Sequence, residues 1–332
     1  MVNFVVYFFI CNLFISGMIG ILLITKKAFK TTLSSRMQYH LGFMIFVLLA
    51  LPFIPIRIFN IFPWLNTLTD THTDFTNPVS NVSNYPCLTD TSKQVNDFAI
   101  SVSHKAPSVV GYILCCLWFT GICIMIFWAV RSLFHLHKII KSSIPLQNSE
   151  VRNLYCECLS EIGINLEIPI YSTAFLKSPV IAGFLKPRIY LPIHIISDYN
   201  AASMRFMLLH ELQHYRHKDT LAGLFMTLTG ILYWCNPLVR YALKEMRSDR
   251  EIACDAAVLK RLPESDYEEY GAALINFAEK VSHMPFPFAA GMSGSMKQMR
   301  QRIAAISTYE KPDAFRKAKG CTAFALIGAL LL

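Results

Sequence analysis

Long runs of uncharged, apolar residues constrain the fold of this chain more than any other feature of its sequence. Residues 2–24 and 109–130 contain no charged side chain, and each run is about long enough to cross a bilayer as a helix. A further apolar run, residues 41–59, is interrupted by Pro52 and Pro55. Hydrophobic residues make up 54% of the chain and charged residues 16%, which is too apolar for an ordinary soluble domain. The sequence therefore predicts a mainly α membrane protein with three transmembrane helices in its first 130 residues.

Basic residues beside these runs predict how the chain is oriented. Lysine and arginine are concentrated in residues 25–38 and directly after residue 130, whereas residues 60–108 contain only two of them. Positively charged loops stay on the cytoplasmic side, so we expect an external N-terminus, an external loop at 60–108 and a cytoplasmic segment from 131. Much of the net charge of +9 then reflects topology. No DNA-binding motif or basic-aromatic cluster occurs in 131–318, and we expect no direct binding of nucleic acid.

Residues 131–318 are long enough to form one domain with its own core. Helical patterns occupy most of this stretch, but residues 178–192 read SPVIAGFLKPRIYLP and predict a β-hairpin, so the domain is expected to be α+β. Residues 319–332 begin like a fourth transmembrane helix and are too few to complete one. Either the span continues beyond this sequence, or the tail only dips into the bilayer.

The sequence HELQH at residues 210–214 lies within a predicted helix and is the motif that indicates a catalytic metal site. Its spacing places His210 and His214 one turn apart on one face, where both imidazoles can reach a single zinc ion. Glu211 then lies beside the ion, where a carboxylate can take a proton from water and later pass it to a leaving amine. The motif predicts a zinc metalloendopeptidase with Glu211 as catalytic base. The alternative is a helix whose histidines only pack or form hydrogen bonds.

A second predicted helix carries Glu251 and Asp255 one turn apart. Glu251 is suited to be the third protein ligand of the ion, which leaves a fourth position for water. Asp255 is suited to orient a ligating histidine through its other ring nitrogen, and Asp219 is a weaker candidate for that role. The ten cysteines form no CxxC motif, which argues against a cysteine-built zinc site. The alternative for Glu251 and Asp255 is a solvated acidic face paired with Arg247 or Arg250.

The segment between these two helices, residues 220–238, is as apolar as a transmembrane helix. If it crossed the bilayer completely, His210 and Glu251 would face opposite sides and could not share one ion. We therefore expect either a buried or membrane-leaning helix, or a re-entrant hairpin broken near Asn236 and Pro237. The competing interpretation is a true transmembrane span with no zinc site.

Taken together, these motifs resemble those of the BlaR/MecR signal transducers that sense β-lactams. The shared features are HELQHYRHKD, an apolar helix ending in WCNPLV, the ExxxD pair, the SPxxxGxxxPxIxLP segment and three N-terminal spans. The resemblance implies a cytoplasmic gluzincin domain (HExxH…ExxxD) between the third and fourth spans of a multi-pass protein in the bacterial cell membrane. It assigns the catalytic base to Glu211 and the zinc ligands to His210, His214 and Glu251. It does not extend to the extracellular penicillin-binding domain, with its nucleophilic serine, into which complete sensors continue.

The resemblance also implies substrates and partners. Zn²⁺ is the expected cofactor, and the expected partners are the lipid bilayer, a second copy of the chain in a homodimer, and a cytoplasmic repressor as substrate. Cleavage of that repressor, direct or indirect, would induce β-lactam resistance genes, and the chain is also expected to cleave itself. Our candidate for the self-cleaved bond joins Gly291 to Met292. The candidate edge strand for an extended substrate consists of Val180, Ile181, Ala182 and Gly183.

Two alternative functions remain open at the level of sequence. One is a housekeeping membrane gluzincin of the HtpX or CAAX-protease kind. The other is a protease-dead scaffold that transmits an external signal through helix movement alone.

Overall fold

The computed structural model describes residues 2–29, 32–50, 108–166, 168–176, 178–183, 187–197, 200–282, 296–311, 318 and 320–325. The chain divides into two compact units: Met1–Ile15 with Val47–Phe119, and Ser16–Phe46 with Thr120–Leu332. The HELQH motif and Glu251 both belong to the second unit. The predicted external loop, residues 60–108, lies almost entirely outside the described residues.

Two of the described helices are long and apolar enough to cross a membrane. They are α1 (Val2–Ala28) and α4 (Ser108–Lys141). Both continue past the predicted spans 2–24 and 109–130, and both carry two lysines in the last turn, where positive charge favours the helix dipole. The apolar run at 41–59 is described only as far as residue 50. Its first part falls in α2 (Ser35–Gly42) and α3 (Met44–Ala50).

A four-stranded sheet precedes the HELQH helix in the chain, with strand order β1-β2-β4-β3. The strands are β1 (Ile144–Pro145), β2 (Ile170–Thr173), β3 (Val180–Ala182) and β4 (Arg188–Pro192). β3 and β4 are antiparallel, with Val180 opposite Tyr190 and Ala182 opposite Arg188, so the predicted hairpin is present. β2 and β4 are parallel, and β1 pairs antiparallel with β2. β3 therefore lies at one edge of the sheet.

The HELQH helix is one of the helices of the second unit that follow β1 in the chain. They are α5 (Ser149–Ile162), α6 (Ile193–Ser197), α7 (Ala201–Arg216), α8 (Asp219–Leu232), α9 (Pro237–Leu259), α10 (Tyr267–Ser282) and α11 (Met296–Ser307). α7, which carries HELQH, packs against both α5 and α9. Its residues Leu208, Leu209 and Leu212 are completely buried in the core. Because this apolar face anchors α7, the motif is fixed inside the domain.

The apolar segment at 220–238 is a short helix followed by a break. α8 has 14 residues, and at 1.5 Å per residue it is about 21 Å long, less than the roughly 30 Å of a hydrocarbon core. After it the chain turns, and Asn236 caps α9 by accepting hydrogen bonds from the backbone N–H groups of Leu238 and Val239 at 2.9 and 3.1 Å. Pro237 occupies the first turn of α9, where its missing N–H is tolerated. The break near Asn236 and Pro237 agrees with our expectation.

The Asn236 cap is expected to contribute measurably to stability. In Asn236→Ala the two N–H groups lose their acceptor, and we expect the free energy of unfolding to fall by about 0.5–2 kcal/mol. Thermal unfolding of the full chain in detergent measures this loss. Asn236→Asp keeps the capping oxygen but loses the N–H that Asn236 donates to Ser16 Oγ at 2.7 Å, so it should recover only part of the stability. An alanine variant as stable as the wild type would contradict the capping role.

Candidate metal centre

Three side-chain atoms from two helices form a small triangle at the centre of the domain. The Nε2 atoms of His210 and His214, one turn apart on α7, are 3.2 Å apart. Oε2 of Glu251, on α9, lies 3.6 Å from each of them. Ligand atoms 2.0–2.1 Å from a tetrahedral zinc ion are about 3.3–3.4 Å from one another. The triangle therefore has the size that one zinc ion requires, and its atoms are of the types that zinc binds.

The other ring nitrogen of each histidine has a polar partner. Nδ1 of His214 lies 2.6 Å from Oδ2 of Asp219. Nδ1 of His210 lies 3.1 Å from the hydroxyl of Tyr270 and 3.2 Å from Oδ1 of Asp255. A carboxylate on Nδ1 fixes the tautomer and orientation of the ring, so that Nε2 faces the metal. The structure thus brings each predicted aspartate to a different histidine of the motif.

Glu251 uses its two oxygens differently. Oε1 accepts hydrogen bonds from Arg250, at 2.9 Å from NH2 and 3.3 Å from Nε. Oε2 is left to face the two imidazoles. The alternative of a solvated acidic face paired with Arg247 or Arg250 agrees with the ion pair to Arg250, but the side chain of Asp255 is only 2% exposed, whereas that of Glu251 is 22% exposed. Pairing with Arg250 orients Glu251 toward the histidines.

Glu211 is buried and incompletely hydrogen-bonded. It is 5% exposed, and its Oε1 atom has no hydrogen-bond partner among the residues whose positions are described. Burial raises the pKa of Glu211, and the nearby imidazoles of His214 and His210 oppose part of that rise. A buried carboxylate oxygen without a partner is costly and calls for an explanation. A water molecule beside a bound metal would supply the missing hydrogen bond, so the donor set and Glu211 together fit zinc.

Arg302 of α11 was not anticipated from the sequence, although it contacts the centre directly. It is 6% exposed and binds Asp255 in a forked geometry, with Nε 2.7 Å from Oδ2 and NH2 2.7 Å from Oδ1. Burial alone would raise the pKa of Asp255, but the charge and hydrogen bonds of Arg302 outweigh burial and lower it. Asp255 therefore stays an anion that can accept a hydrogen bond from His210. Tyr270, whose hydroxyl donates to Asp255 at 2.8 Å, was also missed.

Cys254 also lies beside the two histidines, although it belongs to no paired cysteine motif that would have predicted a metal ligand. Its thiol lies with ring nitrogens of His210 and His214 in a group whose members are all within 4.8 Å of one another. A thiolate can bind zinc, so this group offers a second possible ligand set. The Glu251 oxygen lies 3.6 Å from each imidazole nitrogen, near the spacing of ligands around zinc, and the Cys254 thiol donates to the His210 carbonyl at 3.3 Å. Glu251 and Cys254 are therefore both candidates for the third ligand.

The segment after α1 also contacts the centre. α2 packs against α9, and the buried hydroxyl of Tyr39 donates to Oδ1 of Asp219 at 3.4 Å. Lys26, near the end of α1, forms an ion pair with Asp249 on α9. The aspartate that holds His214 is therefore itself held by a residue from the first part of the chain.

The structure describes some of the remaining predicted site residues and not others. Val180, Ile181 and Ala182 form the edge strand β3, which packs near α7. Gly183 follows it with a positive φ of 104°, a conformation that glycine adopts without strain. Gly291 and Met292 lie outside the residues that the structure describes, so their role as a cleavage site stays a prediction.

The sequence profile of one protein family matches almost the whole chain. The family is described as BlaR1 peptidase M56, and the match runs from residue 8 to residue 306. The chain belongs to this family. The resemblance to BlaR/MecR transducers inferred from the motifs is thereby confirmed. The M56 match includes both helices of the candidate metal centre as well as Arg302, and it places the chain in a class of metallopeptidases.

Several curated relatives of this M56 chain are named regulatory or methicillin resistance proteins. It is 28% identical over 333 residues to the regulatory protein BlaR1 of Bacillus licheniformis. That alignment covers 99% of this chain and 55% of the relative. It is 23% identical over 305 residues to the methicillin resistance mecR1 protein of Staphylococcus aureus, covering 89% of this chain and 51% of the relative. The regulatory protein BlaR1 of Staphylococcus aureus is 22% identical over 266 residues, or 80% of this chain and 44% of the relative. The chain thus spans about half the length of these relatives.

Proposed function

We propose that this chain is the membrane-embedded zinc endopeptidase of a signal transducer. The observation that carries the proposal is the triangle formed by two imidazole nitrogens and one carboxylate oxygen, with edges of 3.2, 3.6 and 3.6 Å. Oε1 of Glu211, which has no hydrogen-bond partner within the described ranges, adds a catalytic group beside the ligand set. Two helices of transmembrane length and the positions of the basic residues support a multi-pass protein in the bacterial cell membrane with this domain in the cytoplasm.

His210, His214 and Glu251 would hold the zinc ion. When bound there, zinc polarises the scissile carbonyl and makes water a stronger nucleophile at neutral pH. Glu211 takes a proton from the attacking water and returns it to the leaving amine, as a general base and then a general acid. Asp219 and Asp255 keep the imidazoles in the orientation that this chemistry needs, because each one holds an Nδ1 atom.

The edge strand β3 is the proposed place for an extended substrate. Among the residues that the structure describes, β3 is paired on one side, through β4. A peptide that adds to the free side forms main-chain hydrogen bonds with Val180–Ala182. Because β3 packs near α7, such a peptide would run close to the HELQH helix. We propose that a cytoplasmic repressor and the chain itself are the substrates, that the chain acts as a homodimer, and that cleavage induces β-lactam resistance genes.

The names of the relatives support this role over the alternatives. The proteins that align with most of this chain are named regulatory or methicillin resistance proteins, which favours a signalling protease over a housekeeping gluzincin. A protease-dead scaffold would not require two histidines and a glutamate at the spacing of zinc ligands beside the buried carboxylate of Glu211.

Self-cleavage can be tested on the full chain in detergent with zinc. We expect wild-type protein to release a fragment whose new N-terminus is Met292, and we expect Glu211→Ala to release none. N-terminal sequencing of the fragments from both proteins measures this. An identical fragment from both would refute self-cleavage, and a new end elsewhere in the wild type alone would move the scissile bond.

A further inference from the structure

Arg302 occupies an unusual place for an arginine. α11 is a 12-residue helix that buries only two side chains, Arg302 and Ile306. Removing a guanidinium from water is expensive, and a protein tolerates it when the charge is paired and its hydrogen bonds are satisfied. The helix therefore buries a cation where an apolar residue would have been enough for packing alone.

The partner of Arg302 leads to the candidate metal centre. Asp255 accepts hydrogen bonds from Nε and NH2 of Arg302, both at 2.7 Å. Its Oδ1 atom lies 3.2 Å from Nδ1 of His210. Tyr270 adds a third hydrogen bond to the same carboxylate at 2.8 Å. A carboxylate held at this many points has a fixed position, so the ring that it contacts has a fixed orientation.

Arg302 pairs with one of the acidic side chains that surround the centre. Four acidic side chains surround the centre: Glu211, Asp219, Glu251 and Asp255. A divalent ion would offset two negative charges, Arg250 pairs with Glu251, and Arg302 pairs with Asp255. Without Arg302 the buried carboxylate of Asp255 would be left as an unpaired anion, which is strongly unfavourable.

We propose that Arg302 is a positioning residue of the metal centre, acting through Asp255 on the ring of His210. This inference rests on the proposed function, since it assumes that His210 is a zinc ligand. NH1 of Arg302 also lies 3.8 Å from Oε2 of Glu251, too far for a hydrogen bond but close enough for attraction between the charges. Arg302 thereby connects α11 to ligands on both α7 and α9, and α11 completes the metal centre.

Zinc affinity and a cobalt spectrum test this inference in the full chain in detergent. Competition with a chelator measures zinc affinity, and the visible absorption of the Co²⁺-loaded protein reports the geometry around the metal. We expect Arg302→Gln to weaken zinc binding by about 10- to 100-fold, the usual effect of losing a group that orients a ligand. Arg302→Lys keeps the positive charge but cannot form the two parallel hydrogen bonds to Asp255, so it should recover part of the zinc affinity. The cobalt spectrum should change in Arg302→Gln.

Two control variants separate positioning from packing. Ile306→Ala loosens the same helix face while leaving Arg302 in place, and Arg300→Gln removes an exposed arginine from the same helix. Arg300→Gln should match the wild type, and Ile306→Ala should lower the unfolding temperature with little effect on zinc affinity. If Ile306→Ala weakens zinc binding as much as Arg302→Gln does, the role of Arg302 is only structural and the inference is overturned.

A double-mutant cycle covers the case in which Arg302→Gln fails to fold. Arg302→Lys alone, Asp255→Asn alone and the combination are compared for zinc affinity. If Arg302 acts through Asp255, the lysine substitution has no further effect once Asp255 is replaced. Additive losses would overturn the inference. A wild-type chain that binds no zinc would refute the proposed function itself, whereas normal zinc binding by every Arg302 variant would refute only this inference.

Discussion

Replacing Glu211 with glutamine is expected to abolish proteolysis while the chain keeps its zinc. Glutamine has nearly the same shape, but its amide cannot take a proton from water. Losing a general base typically lowers the rate about 10²- to 10⁴-fold. The Oε1 atom of Glu211 has no hydrogen-bond partner among the described parts of the chain, so the substitution breaks no bond to that atom. Burial already raises the pKa of Glu211, and a neutral side chain should fold at least as well there.

The rate of fragment release from the full chain measures this effect, and elemental analysis of the purified protein measures its zinc. Glu157→Gln makes the same chemical change at an exposed position of α5 and should leave both values unchanged. Proteolysis by Glu211→Gln at the wild-type rate would exclude Glu211 as the general base. Loss of zinc from this variant would instead mean that Glu211 is a ligand.

Replacing Glu251 with alanine is expected to have the largest effect on metal binding. The wild type should hold about one zinc ion per chain. Because Oε2 of Glu251 is 3.6 Å from both imidazole nitrogens, its removal takes away one corner of the ligand triangle. We expect zinc affinity to fall by more than the roughly 10- to 100-fold that follows loss of an orienting group. Proteolysis should disappear with the metal.

Cys254→Ala is the matched control, because it removes the competing ligand from the next turn of α9. We expect this variant to keep its zinc, with some loss of stability from the hydrogen bond to the His210 carbonyl. Chelator competition on both variants decides between the two ligand sets. If Cys254→Ala loses zinc and Glu251→Ala keeps it, the third ligand is the thiolate.

The parts of the site that could be predicted from sequence are those that depend on local geometry. His210 and His214 are related by helical spacing, and Asp219 follows only five positions after His214. Glu251 could be suggested by its pattern, but its distance to the histidines depends on where α8 ends. Since α8 ends at Leu232 and Asn236 starts a new helix, α9 can return to α7.

The residues that sequence analysis missed come from distant elements. Arg302 meets Asp255 across 47 positions, and Tyr270 meets His210 across 60. No spacing rule connects such pairs, because the packing of α10 and α11 brings them together. One signal was available: Arg302 lies one turn before Ile306, on the face that an amphipathic helix buries. A cation on that face indicates a buried anionic partner.

The short edge strand β3 limits how a peptide can be recognised. β3 spans only three residues, so a bound segment gains few main-chain hydrogen bonds from it. Longer flat edges bind more tightly, but they also invite other chains to stack on them and aggregate. A short edge strand avoids such aggregation, and a cleaved product would bind to it only weakly. If a peptide binds β3 as we propose, discrimination among peptides depends on their side chains, and we expect the product to be released quickly.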